Sequence, residues 1–224
     1  MKLGVLLPTF RDNADDALVC ADDAERAGLN GVFAFDHLWP MGSPERPSLA
    51  PFPVLAAIAA RHQSLFLGPL VARVGLVSTK KLVEEFTSLD ALAPGRVIAA
   101  LGTGDKLSEP EQRAYDLGDL SADERRQLMA EAVEALLPLM SVWCGAGSSQ
   151  TNDLARRYGA EINLWDATPA KVRQLARGGP VSWAGPLGDD AIAKLDELND
   201  LNVTWAIASA PFNLERLKEW RAAR

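Results

Sequence analysis

Asp36 and His37 stand side by side in the stretch FAFDHLW. The chain has only two histidines, and one that follows a short apolar run beside a carboxylate can take or give a proton near neutral pH, the carboxylate orienting its ring. A turn carboxylate beside a packed imidazole is the plain alternative. His62, at the end of a helical pattern, reads instead as a partner for a helix dipole. A further acid ends the stretch GRVIAALGTGD. There the apolar run Arg96 to Leu101 gives way to Gly102, Thr103 and Gly104, where glycines allow close backbone approach, and Asp105 follows at the tip. A simple turn with a solvated acid explains those residues equally well. The third place is CGAGSSQTNDLARRYG, which runs through Gly145, Ala146 and Gly147 into Ser148, Ser149 and Thr151 at a helix start. Free N–H groups, hydroxyls and the positive end of a helix dipole suit a phosphate, although Ser148 would cap that helix without any ligand.

These residues act together only if one fold brings their strand ends to one place. Strand-like runs occur at KLGVLLP, GVFAF, LFLGPLVA, Arg96 to Leu101, SVWCG, AEINLW, PVSWAG and VTWAIA. Helical patterns fall between them at Asn13 to Ala27, Pro51 to His62, Thr79 to Leu92, Ser121 to about Leu139, Ser148 to Tyr158, Pro169 to Arg177, Asp189 to Leu198 and Asn213 to Arg224. Ser121 with Glu124 three residues later has the form of a capping box. The apolar runs have the character of strands buried on both faces, which calls for a parallel sheet with crossover helices. Eight strands alternating with eight helices predict a (β/α)8 TIM barrel built from residues 1 to 224 as a single domain. An open doubly wound sheet is the alternative, but its first turn, LPTFRDN, has no G-x-G-x-x-G fingerprint. In a barrel the C-terminal strand ends form the active face, so all three places above would share one mouth.

Composition narrows the partners. The chain is 48% hydrophobic and carries 30 acidic against 23 basic residues, a net charge of −7, which disfavours a general grip on nucleic acid phosphates. No window reaches the length of a membrane span. Two cysteines, Cys20 and Cys144, argue against a disulfide scaffold or a structural metal site. The start has too short an apolar run for a signal peptide, and the expectation is a reducing cytoplasm.

The segments GVLLPTF, GVFAFDHLW, LGPLVAR, EEFTSLDALAPGRVIAALGTGD and VWCGAGSSQTNDLARRYGAEINLW, in that order, resemble the bacterial luciferase-like superfamily of flavin and deazaflavin oxidoreductases, over most of Met1 to Trp165. Within it the chain is similar to the branch that uses coenzyme F420, a deazaflavin. That resemblance implies a (β/α)8 barrel and hydride transfer with a small organic substrate. Asp36-His37 matches an Asp-His pair whose histidine lies by the reactive ring edge. Gly102-Thr103-Gly104-Asp105 resembles a Gly-Thr-Gly-Glu whose acid serves proton transfer, one methylene longer than here. A bulge with a non-prolyl cis peptide, backing the ring, is implied near Leu70-Val71, with Ala72 beside it. Ser148 and Thr151 match hydroxyl positions that hold a cofactor phosphate in flavin members, so FMN is the alternative cofactor and an FMN-dependent monooxygenase or reductase the alternative activity. A barrel that binds a flavin without catalysis is a third reading. Trp39 is a candidate for stacking on substrate, although the deazaflavin branch carries its tryptophan at the position of Met41. The family implies a homodimer. Its long insertion before the fifth strand has no counterpart here, because Leu139 passes almost directly to SVWCG, and the substrate is therefore not readable.

Overall fold

Short apolar runs flanked by helices become strands wherever both faces can be buried. The computed structural model describes residues 1–104, 108–114, 118 and 120–224. Its strands are β1 (Lys2–Leu6), β2 (Gly31–Ala34), β3 (Phe66–Pro69), β4 (Ala72–Arg73), β5 (Ile98–Gly102), β6 (Ser141–Gly145), β7 (Glu161–Trp165), β8 (Val181–Pro186) and β9 (Trp205–Ser209). The helices are α1 (Asp15–Arg26), α2 (Pro51–Arg61), α3 (Thr79–Leu92), α4 (Glu109–Ala114), α5 (Ala122–Leu136), α6 (Ser149–Tyr158), α7 (Pro169–Ala176), α8 (Ala191–Asp200) and α9 (Leu214–Ala222).

All pairings are parallel, and the 9-stranded sheet runs β3-β2-β1-β9-β8-β7-β6-β5-β4. Its two ends, β3 and β4, are halves of one expected strand, interrupted at a cis peptide between Leu70 and Val71. A bridge from Leu67 to Val97, with the Leu67 amide donating to the Arg96 carbonyl at 3.0 Å, brings β3 against β5. A Cβ at Gly68 would lie 2.1 Å from the Ile98 carbonyl oxygen, so this approach of two backbones requires glycine. The result is the expected TIM-like barrel, nearly closed. Two details differ from the sequence reading. The third strand is split, and α4, a six-residue polar helix, carries no apolar periodicity by which it could be read.

The core has two layers. Between sheet and helices lie residues such as Leu3, Val5, Val32, Leu55, Ile58 and Phe86. Inside the barrel, Leu6, Phe33, Ile98, Trp143, Trp205 and Ile207 form a separate cluster. Phe33 stacks on Trp143 with centroids 5.5 Å apart and meets Trp205 edge-on at 5.7 Å, geometries that aromatic quadrupoles favour. The lower end of the barrel is closed by Lys2, whose ammonium sits 4.2 Å from the Phe66 ring centre, and by Glu161, which accepts from the Thr204 hydroxyl.

Helix starts are fixed locally. Ser121 and Glu124 form the expected capping box, and Ser78, Ser148, Thr168 and Asn213 each accept a backbone N–H of the first turn; each such cap contributes about 1 kcal/mol. His62 ends α2 and places Nδ1 2.7 Å from Glu25 of α1, so it ties two helices together. Because the strands are parallel, Phe35, Arg73, Gly102, Gly145 and Trp165 all lie at or beyond the C-terminal ends of their strands, on one rim.

Candidate active site

β2 ends at Ala34, and the next residues turn at the rim. His37 is 27% exposed, which leaves its ring reachable. It lies against two aromatic side chains, with centroids 6.4 Å from Phe10 and 6.1 Å from Phe35, and those two stack on each other at 5.3 Å. Trp165, at the end of β7, sets its edge on Phe35 at 5.8 Å and is 51% exposed. The rim therefore presents an aromatic wall with an imidazole in it.

The ring is held by an acid that the sequence did not reveal. His37 Nδ1 is 3.0 Å from Oε1 of Glu111 on α4. The other oxygen of Glu111 accepts from the Leu38 amide at 3.2 Å and from Arg73 Nη2 at 2.6 Å. Glu111 is 1% exposed and Arg73 4%. Asp36, the expected orienting group, is turned elsewhere: its Oδ2 accepts from the backbone amide of Arg73 at 2.9 Å. The correction has a simple cause. Consecutive side chains leaving a strand end point in different directions, so an acid at the preceding position serves the neighbouring strand while a distant element reaches the ring. Burial pushes the Asp36 carboxyl above the usual range, opposed by the Arg73 amide and the Arg73 charge.

The bulge stands beside this cluster. Leu70 is buried, and Val71 wedges between the ends of β5 and β6: a Cβ at Gly102 would come 2.3 Å from Val71 Cγ2, and one at Gly145 3.4 Å from Val71 Cγ1. Ala72 opens β4 and pairs with Leu101. Gly104 has φ +66°, and a Cβ there would meet Arg73 Cδ at 3.1 Å and Ser108 Oγ at 3.0 Å. Gly104 thus lies close against the Arg73 stem. Asp105 lies outside the described residues.

At the start of α6, Ser148 Oγ accepts from the Thr151 amide at 3.2 Å and lies 3.1 Å from the Thr151 hydroxyl, which is buried. The amide of Ala146 donates to the Asn163 carbonyl at 2.8 Å, so it extends the sheet and is not free for a ligand. A groove of about 620 Å³ opens between the starts of α6 and α7, lined by Gly147, Ser148, Ser149, Trp165, Thr168 and Lys171 among others. Trp165 belongs to both the groove and the aromatic wall, and so joins the α6 start to the His37 cluster. Trp39 is half-buried, and among the described residues it enters none of the ring pairs of the wall. Phe10, Phe35 and Trp165 follow or end apolar runs that lead to this rim, a position from which they could have been picked. Arg73 and Glu111 gave no such signal. Among the described residues no cluster of histidine, cysteine and acidic side chains could hold a metal ion.

A family model described as luciferase-like monooxygenase matches residues 1–187. The chain is 32% identical over 212 residues to an F420-dependent hydroxymycolic acid dehydrogenase of Mycobacterium tuberculosis, across 92% of this chain and 56% of that protein. It is 29% identical over 203 residues to an F420-dependent glucose-6-phosphate dehydrogenase of Intrasporangium calvum, across 88% of this chain and 59% of that protein. The chain therefore spans less than two thirds of the length of either relative. Among solved structures, an F420-dependent secondary alcohol dehydrogenase with an F420-acetone adduct superposes with a TM-score of 0.81 at 14% identity, covering 100% of this chain and 99% of that one, a likeness of fold. Barrel, split third strand and family match agree, and the chain belongs to the luciferase-like monooxygenase family.

Proposed function

We propose that this protein is an oxidoreductase that binds coenzyme F420 and exchanges hydride with a small organic substrate at the rim around His37. The observation that carries the reading is the His37 ring, reachable from solvent on one side and committed through Nδ1 to a buried carboxylate on the other. Similarity to two F420-dependent dehydrogenases, over about nine tenths of the chain, supports the choice of cofactor.

The residues present fit a planar ring carrying a phosphate-bearing side chain. Gly102 and Gly145 put no side chain at the strand ends beside Val71, and at Gly147 a Cβ would meet only the Thr151 hydroxyl, at 4.0 Å. The groove beside it has hydroxyls and a helix N-terminus to receive an anion. When bound, the deazaflavin supplies the acceptor or donor of a hydride. The protein's part is to place the substrate against the aromatic wall, and His37 takes the hydroxyl proton in oxidation or returns it in reduction.

The reading is tested by following oxidised deazaflavin absorbance in the presence of a panel of small alcohols. Wild-type protein should bleach it with at least one, and His37→Ala should be slower by about 10²- to 10⁴-fold. Equal rates in both proteins would remove His37 from the reaction.

A further inference from the structure

Glu111 is an unusual investment for a six-residue surface helix. It is a buried acid, and all of its described contacts converge on the rim: the His37 ring, the Leu38 amide and the Arg73 guanidinium. Arg73 is itself buried and, among the described residues, its Nε and Nη1 have no hydrogen-bond partner. Buried ion pairs with unmet donors are poor stabilisers compared with apolar residues of similar size, so fold stability alone does not account for the arrangement.

An ionised carboxylate only accepts hydrogen bonds. Paired with Arg73, Glu111 therefore requires the hydrogen between itself and the imidazole to sit on His37 Nδ1. In the neutral ring the other nitrogen is then the acceptor. We propose that Glu111 is the positioning residue for His37, fixing the Nδ1–H tautomer and leaving the Nε2 lone pair for the substrate proton, with Arg73 as the cation that anchors Glu111. Asp36 has a supporting part, because its hydrogen bond to the Arg73 amide holds the strand from which the guanidinium extends.

The use of that lone pair rests on the function proposed above. In alcohol oxidation the O–H bond breaks and its proton passes to Nε2. The C–H bond breaks with its electron pair leaving as hydride to the oxidised deazaflavin, and the carbonyl forms. The positive charge that appears on the ring then faces the Glu111 carboxylate at 3.0 Å. In the reverse direction the same nitrogen returns the proton. Glu111 touches neither substrate nor cofactor in this scheme; it acts through His37.

The tautomer can be read without any cofactor. In ¹⁵N-labelled protein, long-range proton–nitrogen correlation of imidazole rings distinguishes a protonated from an unprotonated nitrogen. The chain has two histidines, so His37→Gln assigns the signals, and His62 serves as a control for folding. In the pH range where the ring is neutral, wild-type His37 should show Nδ1 protonated and Nε2 bare. Glu111→Gln has a single oxygen, and with that oxygen accepting from the Leu38 amide and Arg73 its NH2 faces Nδ1 and should move the hydrogen to Nε2, whereas Glu111→Ala should lose the Nδ1–H preference; His62 should be unchanged in both. A wild-type ring protonated on Nε2, or an unaltered tautomer in Glu111→Ala, would overturn the proposal whatever cofactor the protein uses. With F420 and an active alcohol, Glu111→Ala and Glu111→Gln should each lower kcat by roughly 10- to 100-fold with little change in KM. A loss of kcat in a variant whose His37 keeps the Nδ1–H tautomer would assign Glu111 a structural role instead.

Discussion

A proton acceptor needs one nitrogen committed and the other free, and at this rim the commitment is made by a residue 74 positions away in sequence. The pair Asp36-His37 was legible as two adjacent polar residues after an apolar run. Their division of labour was not, because adjacency says nothing about direction: Asp36 faces Arg73 and the ring faces Glu111. Asp36 can be tested separately. Its carboxyl is raised by burial, so its contribution to stability is fully present below the unfolded value near about 3.9 and is lost as pH rises through the raised folded value. Asp36→Asn keeps an oxygen for the Arg73 amide and has no charge to bury. Denaturant titrations across the acid range should show a smaller fall in stability with rising pH for this variant than for wild type. Asp36→Ala, which loses the bond, should be less stable than Asp36→Asn by about 1 kcal/mol.

Elements set the distances between these side chains. The strand end at Gly102 is a glycine because Val71 occupies the space in front of it, whereas a Cβ at Gly145 would only touch Val71, at 3.4 Å. Gly102→Ala would put a methyl 2.3 Å from Val71 Cγ2, and the displacement should cost about 1–3 kcal/mol, read as a lower midpoint in denaturant. At α6, Ser148→Ala removes a cap and should cost about 1 kcal/mol. If the same hydroxyl also receives an anion, cofactor affinity should fall beyond what the stability change explains. Most of these elements were legible. Buried parallel strands read as apolar runs, and Ser121 and Ser148 marked helix starts at Ala122 and Ser149. The break at Leu70-Val71 was legible only through resemblance, since LFLGPLVA is continuously apolar apart from its proline. Helix α4 was lost because EPEQRA buries a charged pair of contacts and not an apolar stripe, and periodicity is blind to that.

The whole molecule is a barrel whose two ends are treated differently. The upper rim gathers Asp36, His37, Arg73 and Glu111, while the lower end is plugged by Lys2 against Phe66 and Trp205 and by Glu161 with Thr204 and Ser182. Burial pushes the Glu161 carboxyl upward, with the two hydroxyls and Lys2 opposing. Its stabilising share is complete below the unfolded value near about 4.3 and is lost as pH rises through the raised value. Glu161→Gln should therefore flatten the pH dependence of stability above that point without altering the rim, a result that thermal melts at several pH values and unchanged cofactor affinity would record. Alternation of runs was enough to foresee the barrel, since parallel strands with crossovers have few other solutions. Where it closes, between β3 and β5, the contact is a bridge from Leu67 to Val97 beside a close backbone approach at Gly68, a detail that no apolar run marks. No helix among the described residues is long and apolar enough to cross a membrane.

The most direct test of the account is a fluorescence titration of the purified protein with coenzyme F420 and, separately, with FMN. Saturable binding of the deazaflavin, with FMN weaker by at least about tenfold, a difference of about 1.4 kcal/mol, is the predicted result. Saturation by FMN alone, or by neither, would contradict it.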